Sequence, residues 1–536
     1  MKSRLWRSGG RDVRGPSDTI PVSMSVSSPK DAAAVILLRH NTDPHDPEVF
    51  WVKRSENLSF LGGFYAFPGG QLDATDVDAP LLNPKGDKES AMISCAAREL
   101  FEELGVLAAR KTEALTNGQR ASLLDDLESG RMSWPALLRH YNLYLDAADF
   151  TFVGRWVTPP FSSRRFDTWF FLVNCPPKQE PRVVPGELER GEWITARAAY
   201  ERWQQTTIPT RSAILVVPPI LHALKTLGRG LNSDLVARFL SVPNAHGEPV
   251  RRIEFRPNYI CFPVRTPTKP PATHTNCYLI YSSRELLIID PGSPYADEQQ
   301  ALADSVDELL APGRTLREIV LTHVHPDHVS GVNALREHLA RRWPVTAVIV
   351  AAHPLTAAAL PDDIHAERFI EDTEVIELSG EPQIALRALH TPGHARGHLC
   401  FHEARTGTLI TGDNIVGLGS VLIDPPEGNM RAYLASLERL RAFTDLSVLF
   451  PGHGPAIANP YRKIDEYIDH RLEREQRILE AVCNGVTTPS EIVARVYTDV
   501  SPKAHAMAER AVLAHLEKLA DDGVVTPNDG GGYSAK

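Results

Sequence analysis

The sequence is poor in the features that would place it outside a reducing compartment. Its six cysteines, Cys95, Cys175, Cys261, Cys277, Cys400 and Cys483, form no C-x-x-C pair. Such scatter fits neither a disulfide framework nor a thiolate zinc site, so the cytosol is the simplest location. No apolar run approaches the roughly 18 residues that cross a bilayer, and the N-terminus lacks the apolar centre of a secretory signal. No membrane partner is expected. A basic excess is also missing: 57 Lys and Arg stand against 67 Asp and Glu, a net charge of -10. Any nucleic-acid contact must then rest on local patches. Residues 1–30 carry no apolar periodicity and read as a disordered tail. Their arginines and serines also fit a mitochondrial transit peptide, which in a eukaryote would place the protein in the matrix.

What is present describes a packed α/β enzyme, with 43% hydrophobic and 23% charged residues. A chain of 536 residues is too long for one hydrophobic core. A first domain spans 31–240, from the strands "AAAVILLRH" and "EVFWVKR" through the helix "AARELFEELG", stopped by Gly105, to the strand "FDTWFFLVNC" and the helical stretch 198–240. A proline-rich linker, 241–272, leads into a second domain with its boundary near Val250. Its strands "NCYLIYSS", "RELLIIDPG", "EIVLTH", "VTAVIVAA" and "GTLITGD" alternate with helices up to about residue 465. Residues 466–536 close the chain. A long helix begins at the Asn459 cap and presents an apolar face of Ile464, Tyr467, Ile468, Leu472, Ile478, Leu479 and Val482. A helix with a Thr488–Glu491 capping box, a third helix from Ser501-Pro502 and the hairpin "GVVTPNDGGGYS" then make a winged-helix-like unit.

The stretch "LTHVHPDHVSG" crowds His323, His325, Asp327 and His328 behind the apolar run Ile319–Leu321. On an extended segment residues i and i+2 face one way, so His323 and His325 can aim at one point. Asp327 and His328, in the turn that follows, can reach a second. The cluster is most of a two-metal site. Its missing ligands should be isolated groups at other strand ends, and His394 in "HTPGHARGH", Asp413 in "LITGD" and His453 in "LFPGHGP" each occupy a glycine-containing turn after an apolar run. His353, His390, His398 and His402 read as packing or supporting groups.

With H-x-H-x-D-H, TPGH, TGD and PGHG in order, residues 250 to 465 resemble the metallo-β-lactamase-fold hydrolases, an αββα sandwich. The resemblance implies that His323, His325 and His394 bind one Zn²⁺, that Asp327, His328 and His453 bind another, and that Asp413 bridges them. It also implies Asp290 of "LIIDPG" as a supporting partner. An aspartate at 413 disfavours antibiotic hydrolysis, and His325, where the oxygen-reducing diiron branch has glutamate, disfavours redox chemistry. Two zinc ions held by neutral imidazoles lower the pKa of a bridging water toward about 7, supplying the nucleophile, with Asp327 able to steady developing charge. The C-terminal stretch from "FPGHGPAIANPYRKIDEYIDH" onward resembles the β-lactamase-like protein 2 family, which implies endonucleolytic cleavage of single-stranded RNA. Acidic residues such as Glu473, Glu475, Asp521 and Asp522 outnumber basic ones in the last unit, so it is no evident clamp for phosphates and can instead wall the cleft.

In the first domain, "RELFEELGV" matches the R-E-U-x-E-E-x-G-U half of the Nudix box. Residues 31–240 accordingly resemble a Nudix hydrolase, an α/β/α fold. Glu99, Glu102 and Glu103 share a helix face, so three carboxylates can converge on Mg²⁺ or Mn²⁺ bridging a diphosphate, with Arg98 orienting Glu99. The box departs upstream, where an insertion separates Gly69 and Gly70 from Arg98 and Ser90 fills the glutamate slot, with Glu89 one place out of register. The insertion and "FDTWFFL" resemble the coenzyme A diphosphatase type. The leading expectation is therefore a zinc hydrolase of single-stranded RNA fused to a Nudix-type diphosphate hydrolase. A glyoxalase II-like or acyl-coenzyme A thioesterase beside a coenzyme A-directed Nudix domain is the second. A nucleotide- or RNA-binding regulatory protein with an inactive Nudix domain is the third. The sequence leaves the oligomeric state open.

Overall fold

A computed structural model describes residues 28–536 except 59, 163, 206–213, 344–347, 499–500 and 529. Nearly all of the expected disordered tail, with the transit-peptide reading, lies outside the described residues. Among the described residues no helix is long and apolar enough to cross a membrane.

The N-terminal unit is built on one mixed sheet. Lys30–Leu38 pairs in parallel with Phe166–Asn174 and antiparallel with Glu48–Arg54 and Gly69–Gln71. From Ala32 onward the first strand is buried without interruption, as a strand covered on both faces requires. On one face lies the helix Asp87–Leu104, which buries Met92, Ile93, Ala96, Leu100, Phe101 and Leu104 and stops at left-handed Gly105. On the other lie Ala196–Gln204 and Pro218–Leu227, with Trp203, Leu221 and Leu224 turned inward. The α/β/α layering follows.

The second unit has two sheets face to face. One runs Ile253–Arg256, Tyr259–Arg265, His274–Tyr281, Glu285–Ile289, Thr315–Val320, Val350–Ala352 and Arg368–Phe369 in spatial order. The other runs Val375–Leu378, Ile384–His390, Leu399–Glu403, Thr408–Gly412 and Val448–Pro451. The helices Ala296–Leu310 and Val332–Arg342 cover the outside of the first sheet, and Met430–Arg441 with the start of Pro460–Cys483 cover the second. This is the expected αββα sandwich. The proline-rich linker reading needs correction, because 253–256 and 259–265 are strands. Pro263 sits within a paired strand and Cys261, Phe262 and Val264 are buried, so the local proline count concealed a strand that tertiary burial stabilises.

The two units share one continuous apolar body. Phe64 meets Phe255 edge-on at 5.7 Å, and the Trp203 indole N–H donates to the Phe255 carbonyl at 3.1 Å. The C-terminal boundary at 465/466 is likewise softened, because Pro460–Cys483 is one helix serving two cores. Ile464, Tyr467 and Ile468 pack on the sandwich, whereas Ile478, Ala481 and Val482 pack against Pro489–Val496 and His505–Asp521. Leu472, expected in the buried stripe, is exposed. Arg471 and Arg474 are buried nearby instead. Arg471 donates to Ser420 Oγ at 3.1 Å and to the Val421 carbonyl, anchoring a loop rather than filling a core. The Thr488–Glu491 capping box and the hairpin Val525–Pro527/Tyr533–Ala535 are present as expected.

Candidate metal centre

The cluster lies where strand Thr315–Val320 ends. After Leu321 the chain passes His323 and His325, then turns through the short helix Pro326–Val329 that carries Asp327 and His328. His394, Asp413 and His453 arrive from loops of the second sheet, more than 65 residues away in sequence. Three groups of side chains bring their ligand atoms within 4.8 Å of one another: His323, His325 and His394; His323, His328 and Asp413; and Asp327, His328 and His453.

Hydrogen bonding fixes which nitrogen each imidazole presents. The Nδ1–H of His323 reaches Thr322 Oγ1 at 2.9 Å, and that hydroxyl donates to Asp290 at 2.7 Å. His328 Nδ1–H donates to Asp290 Oδ2 at 2.8 Å, His394 Nδ1–H to the Leu422 carbonyl at 2.9 Å and His453 Nδ1–H to the His274 carbonyl at 2.8 Å. Each keeps its Nε2 for the centre. His325 Nδ1 stands 3.0 Å from both His323 Nε2 and His394 Nε2. Three imidazole nitrogens this close, two of them fixed as acceptors, suit a cation held among them, and four-coordinate zinc takes imidazole nitrogens at about 2.0–2.1 Å. Asp290 thus holds the position the sequence suggested for it, orienting two histidines from behind.

The second group carries the carboxylates. Asp413 lies 3.1 Å from His453 Nε2, 3.4 Å from His328 Nε2 and 3.7 Å from His394 Nε2, so it faces both groups. Asp327 is 3.4 Å from His453 Nε2 and 3.5 Å from Thr275 Oγ1. His328 Nε2 and Asp413 Oδ1 face each other at 3.4 Å, both buried and neither hydrogen-bonded, a costly state for polar atoms that a bound cation relieves. Electrostatics divides the groups in the same way. Burial, reinforced by neighbouring imidazoles, holds His323 far below its ordinary value and His394 down at about 3, so both are neutral ligands at pH 7. At His453 burial is outweighed by Asp413 and by hydrogen bonds to Asp327 and Asp413, which raise it to about 10. Asp413 and Asp327 are held well below the usual carboxylate range despite burial, by His453 and His328 together at Asp413 and chiefly by His328 at Asp327. Two ionised carboxylates at the base of a cleft attract positive charge.

Supporting groups complete the site: His398, which the sequence placed among the packing or supporting histidines, and Gly452, which it did not single out. The Asp413 N–H donates to His398 Nε2 at 3.1 Å, so His398 holds the aspartate loop from behind. Gly452 leaves room for the carboxylate: a Cβ there would lie 3.0 Å from His328 Cε1 and closer still to Asp413 Oδ1. His353 and His390 stack on each other at 4.1 Å and His402 pairs with Asp445 at 3.3 Å, all outside the three groups. The ligand groups open into a cleft of about 570 Å³ lined by Val416, Leu418, Val421 and Leu422, with Lys269 on one side. Met507 and Arg510 of the C-terminal helix His505–Asp521 form part of its wall, and Arg510 pairs with Asp424 at 2.6 Å. The last unit does wall the cleft.

The glutamates of the N-terminal unit are gathered less tightly. Arg98 Nη1 sits between Glu99 at 2.6 Å and Glu102 at 3.2 Å, and Glu103 accepts the Gly69 N–H at 3.0 Å. The expected trio lies side by side with its oxygens partly engaged: Arg98 bridges Glu99 and Glu102, the Gly69 amide bonds Glu103, and Glu99 and Glu103 feel each other's charge. Burial, opposed by Arg98 and aided by Glu102, raises Glu99 to about 7, and burial with Glu99 beside it pushes Glu103 well above its ordinary value. Arg98 does orient Glu99, as expected. It is itself held by Asp76, whose two oxygens accept its Nε and Nη2 at 3.0 and 2.9 Å. Asp76 comes from the insertion and supplies a carboxylate that neither Ser90 nor Glu89 provides, which no box spacing could reveal.

Two family models match the chain, the metallo-beta-lactamase superfamily over 270–453 and the beta-lactamase associated winged helix domain over 488–532. A beta-lactamase-like protein 2 homolog of Drosophila melanogaster is 32% identical over 46% of this chain and 83% of its own length. An atrochrysone carboxyl ACP thioesterase of Paecilomyces divaricatus is 32% identical over 47% of this chain and 76% of its own. Among solved structures, a NUDIX hydrolase from Alicyclobacillus acidocaldarius is 30% identical over 41% of this chain and 99% of its own, with a TM-score of 0.33.

Proposed function

Because the chain belongs to the metallo-beta-lactamase superfamily, we propose that it is a two-metal thioesterase that hydrolyses an acyl thioester in the cleft above His325 and Asp413. A metal-dependent hydrolase is what its relatives support. In this reading His323, His325 and His394 hold one Zn²⁺, Asp327, His328 and His453 hold a second, and Asp413 faces both. The orphaned His328 Nε2 and Asp413 Oδ1 carry the assignment. When bound, the two cations supply Lewis acidity and acidify water to near neutral pH. The chain does the rest. Asp327 stays ionised, so it orients a water rather than donating a proton. The apolar cleft walls seat the acyl chain, and Arg471, through Ser420 and Val421, keeps the 416–422 wall in place.

The apolar walls favour a thioester over the phosphodiester that the sequence put first. A nucleic-acid strand wants a row of cations and aromatic stacking platforms, whereas the described lining offers Lys269 and Arg510 and no Phe, Tyr or Trp. Those two cations are the observation that favours single-stranded RNA as the second reading. Turnover of an acyl-thioester without cleavage of single-stranded RNA is expected from the zinc-loaded protein, and RNA cleavage without thioester turnover reverses the order. The N-terminal unit is read as a Nudix-type hydrolase in which Glu99, Glu102 and Glu103 hold Mg²⁺ or Mn²⁺ against a diphosphate. Mg²⁺ keeps several waters and needs only one or two protein carboxylates, so the looser glutamates fit it. Glu102→Gln should abolish diphosphate hydrolysis and leave the zinc activity intact.

A further inference from the structure

The C-terminal helix His505–Asp521 has two faces with different tasks. Ala508, Val512, Leu516 and Leu519 pack inside the C-terminal unit. Met507, Arg510 and Ala514, three and four residues apart, share another face, which is turned to the sandwich. Ala514 is buried in the sandwich core with Tyr433 and Tyr467. Arg510 donates its Nε–H to Asp424 at 2.6 Å and its Nη2–H to the Pro425 carbonyl. One turn further on Met507 enters the metal cleft, half-buried and in neither core.

The wall that Met507 extends begins at a metal ligand. His394 donates its Nδ1–H to the Leu422 carbonyl at 2.9 Å, and the Asn429 N–H returns to the Gly393 carbonyl at 2.8 Å, so the loop 422–429 is tied at both ends beside His394. From Leu422 to Pro425 the chain reaches no more than about 11 Å, and Met507 stands about 4.5 Å along the helix axis from Arg510. An acyl group whose carbonyl lies at the metal centre can therefore meet Met507 with its far end.

Resting on the thioesterase reading, we propose that Met507 sets the length of acyl chain that the site accepts, and that the chain is an unbranched aliphatic one of medium length. Val416, Leu418, Val421 and Leu422 lead along the cleft to Met507, a lining that suits an aliphatic chain. Its thioether is flexible enough to stop such a chain without demanding one shape. A cavity of about 150 Å³ takes six carbons, so the cleft of about 570 Å³ takes roughly twenty, about half of which fall to the acyl chain once the thiol arm is seated.

The test is a chain-length series on the zinc-loaded full chain. Acetyl, hexanoyl, decanoyl and tetradecanoyl thioesters of N-acetylcysteamine are assayed for turnover, and the matching S-alkyl thioethers, which cannot be hydrolysed, are titrated by calorimetry. Each added methylene should raise kcat/KM and affinity by about fourfold until the chain meets Met507, and further carbons should add nothing. Met507→Ala removes the side chain beyond Cβ and should move that break about two or three carbons longer. Met507→Trp should move it shorter, and Met507→Leu, of similar volume, should leave it in place. Turnover of the acetyl thioester, which ends short of Met507, should stay the same in all three variants and checks their folding. A profile without dependence on chain length, or a break that stays put in both Met507→Ala and Met507→Trp, overturns the proposal. If the acetyl thioester still turns over in that case, the thioesterase reading stands and this inference alone fails. If no thioester turns over and no thioether binds, both fall.

Discussion

Gly452 gives the sharpest single perturbation of the metal centre. Replacing it with alanine sets a methyl group 3.0 Å from His328 Cε1 and inside van der Waals contact of Asp413 Oδ1, with Gly412 backbone 3.1 Å behind. The Asp413 loop is held by His398 and cannot swing freely, so the carboxylate must move by about 1 Å, a displacement that costs about 10²-fold in rate when it disturbs reacting groups. Disturbing a ligand's support lowers metal affinity by about 10- to 100-fold. Gly452→Ala should thus lose about two orders of magnitude in rate, near 2.7 kcal/mol, and about one to two in metal affinity, with little change in the folded secondary structure. Gly118→Ala is the control: it stands in the helix Asn117–Glu128 with its nearest neighbour 4.0 Å away and should change nothing at the site. The assay is metal content after dialysis against a graded chelator, with thioester turnover on the same samples. Full metal occupancy and full turnover in Gly452→Ala would refute the packing argument.

Other consequences follow from the same contacts. Asp76→Asn should slow diphosphate hydrolysis by roughly tenfold or more, because Arg98 loses the charge that orients it toward Glu99, while zinc-dependent turnover stays the same; parallel assays of both activities check it. Arg471→Met should raise KM for the thioester more than it lowers kcat, since it frees the Ser420–Val421 wall without touching the ligands; steady-state kinetics separate the two. Acid should loosen the C-terminal unit. His515 donates Nδ1–H to Glu475 at 3.2 Å and buries Nε2 without an acceptor, so burial holds its pKa below the ordinary 6.5. A lowered histidine stabilises the fold above its unfolded pKa and loses that contribution as pH falls below about 6.5. Glu475, lowered by His515 and Lys518 against its burial, adds a second loss below about 4.5. Urea melts should show stability falling from pH 7 to 5, and His515→Leu should flatten the drop across that range.

The metal centre was legible because its chemistry depends on residue type more than on packing. Four His and Asp residues crowded behind one strand and three more in glycine-bearing turns marked it, and the fold brings their ligand atoms together. His398 reads in the sequence as a packing or supporting group, but what it holds, like the part played by Gly452, involves backbone. His398 holds a main-chain N–H, Gly452 matters for an absent Cβ, and neither role leaves a mark in spacing. Asp76 was hidden for another reason: an insertion moves it out of the box register, and only the folded loop returns it to Arg98. Tyr259–Arg265 was lost to a proline count, although its alternation with neighbouring strands buries nearly every residue. Leu472 shows the reverse error. A helix shared by two cores changes the face it buries midway, so a single apolar stripe drawn through Ile464 and Ile478 overshoots at the crossover.

Anomalous scattering from crystals of the zinc-loaded protein tests the central claim most directly. The account predicts two peaks per chain, one among His323, His325 and His394 and one among Asp327, His328 and His453, with Asp413 beside both and the second peak lost in Asp413→Ala. A single peak, or peaks at other side chains in protein that turns over substrate, contradicts it.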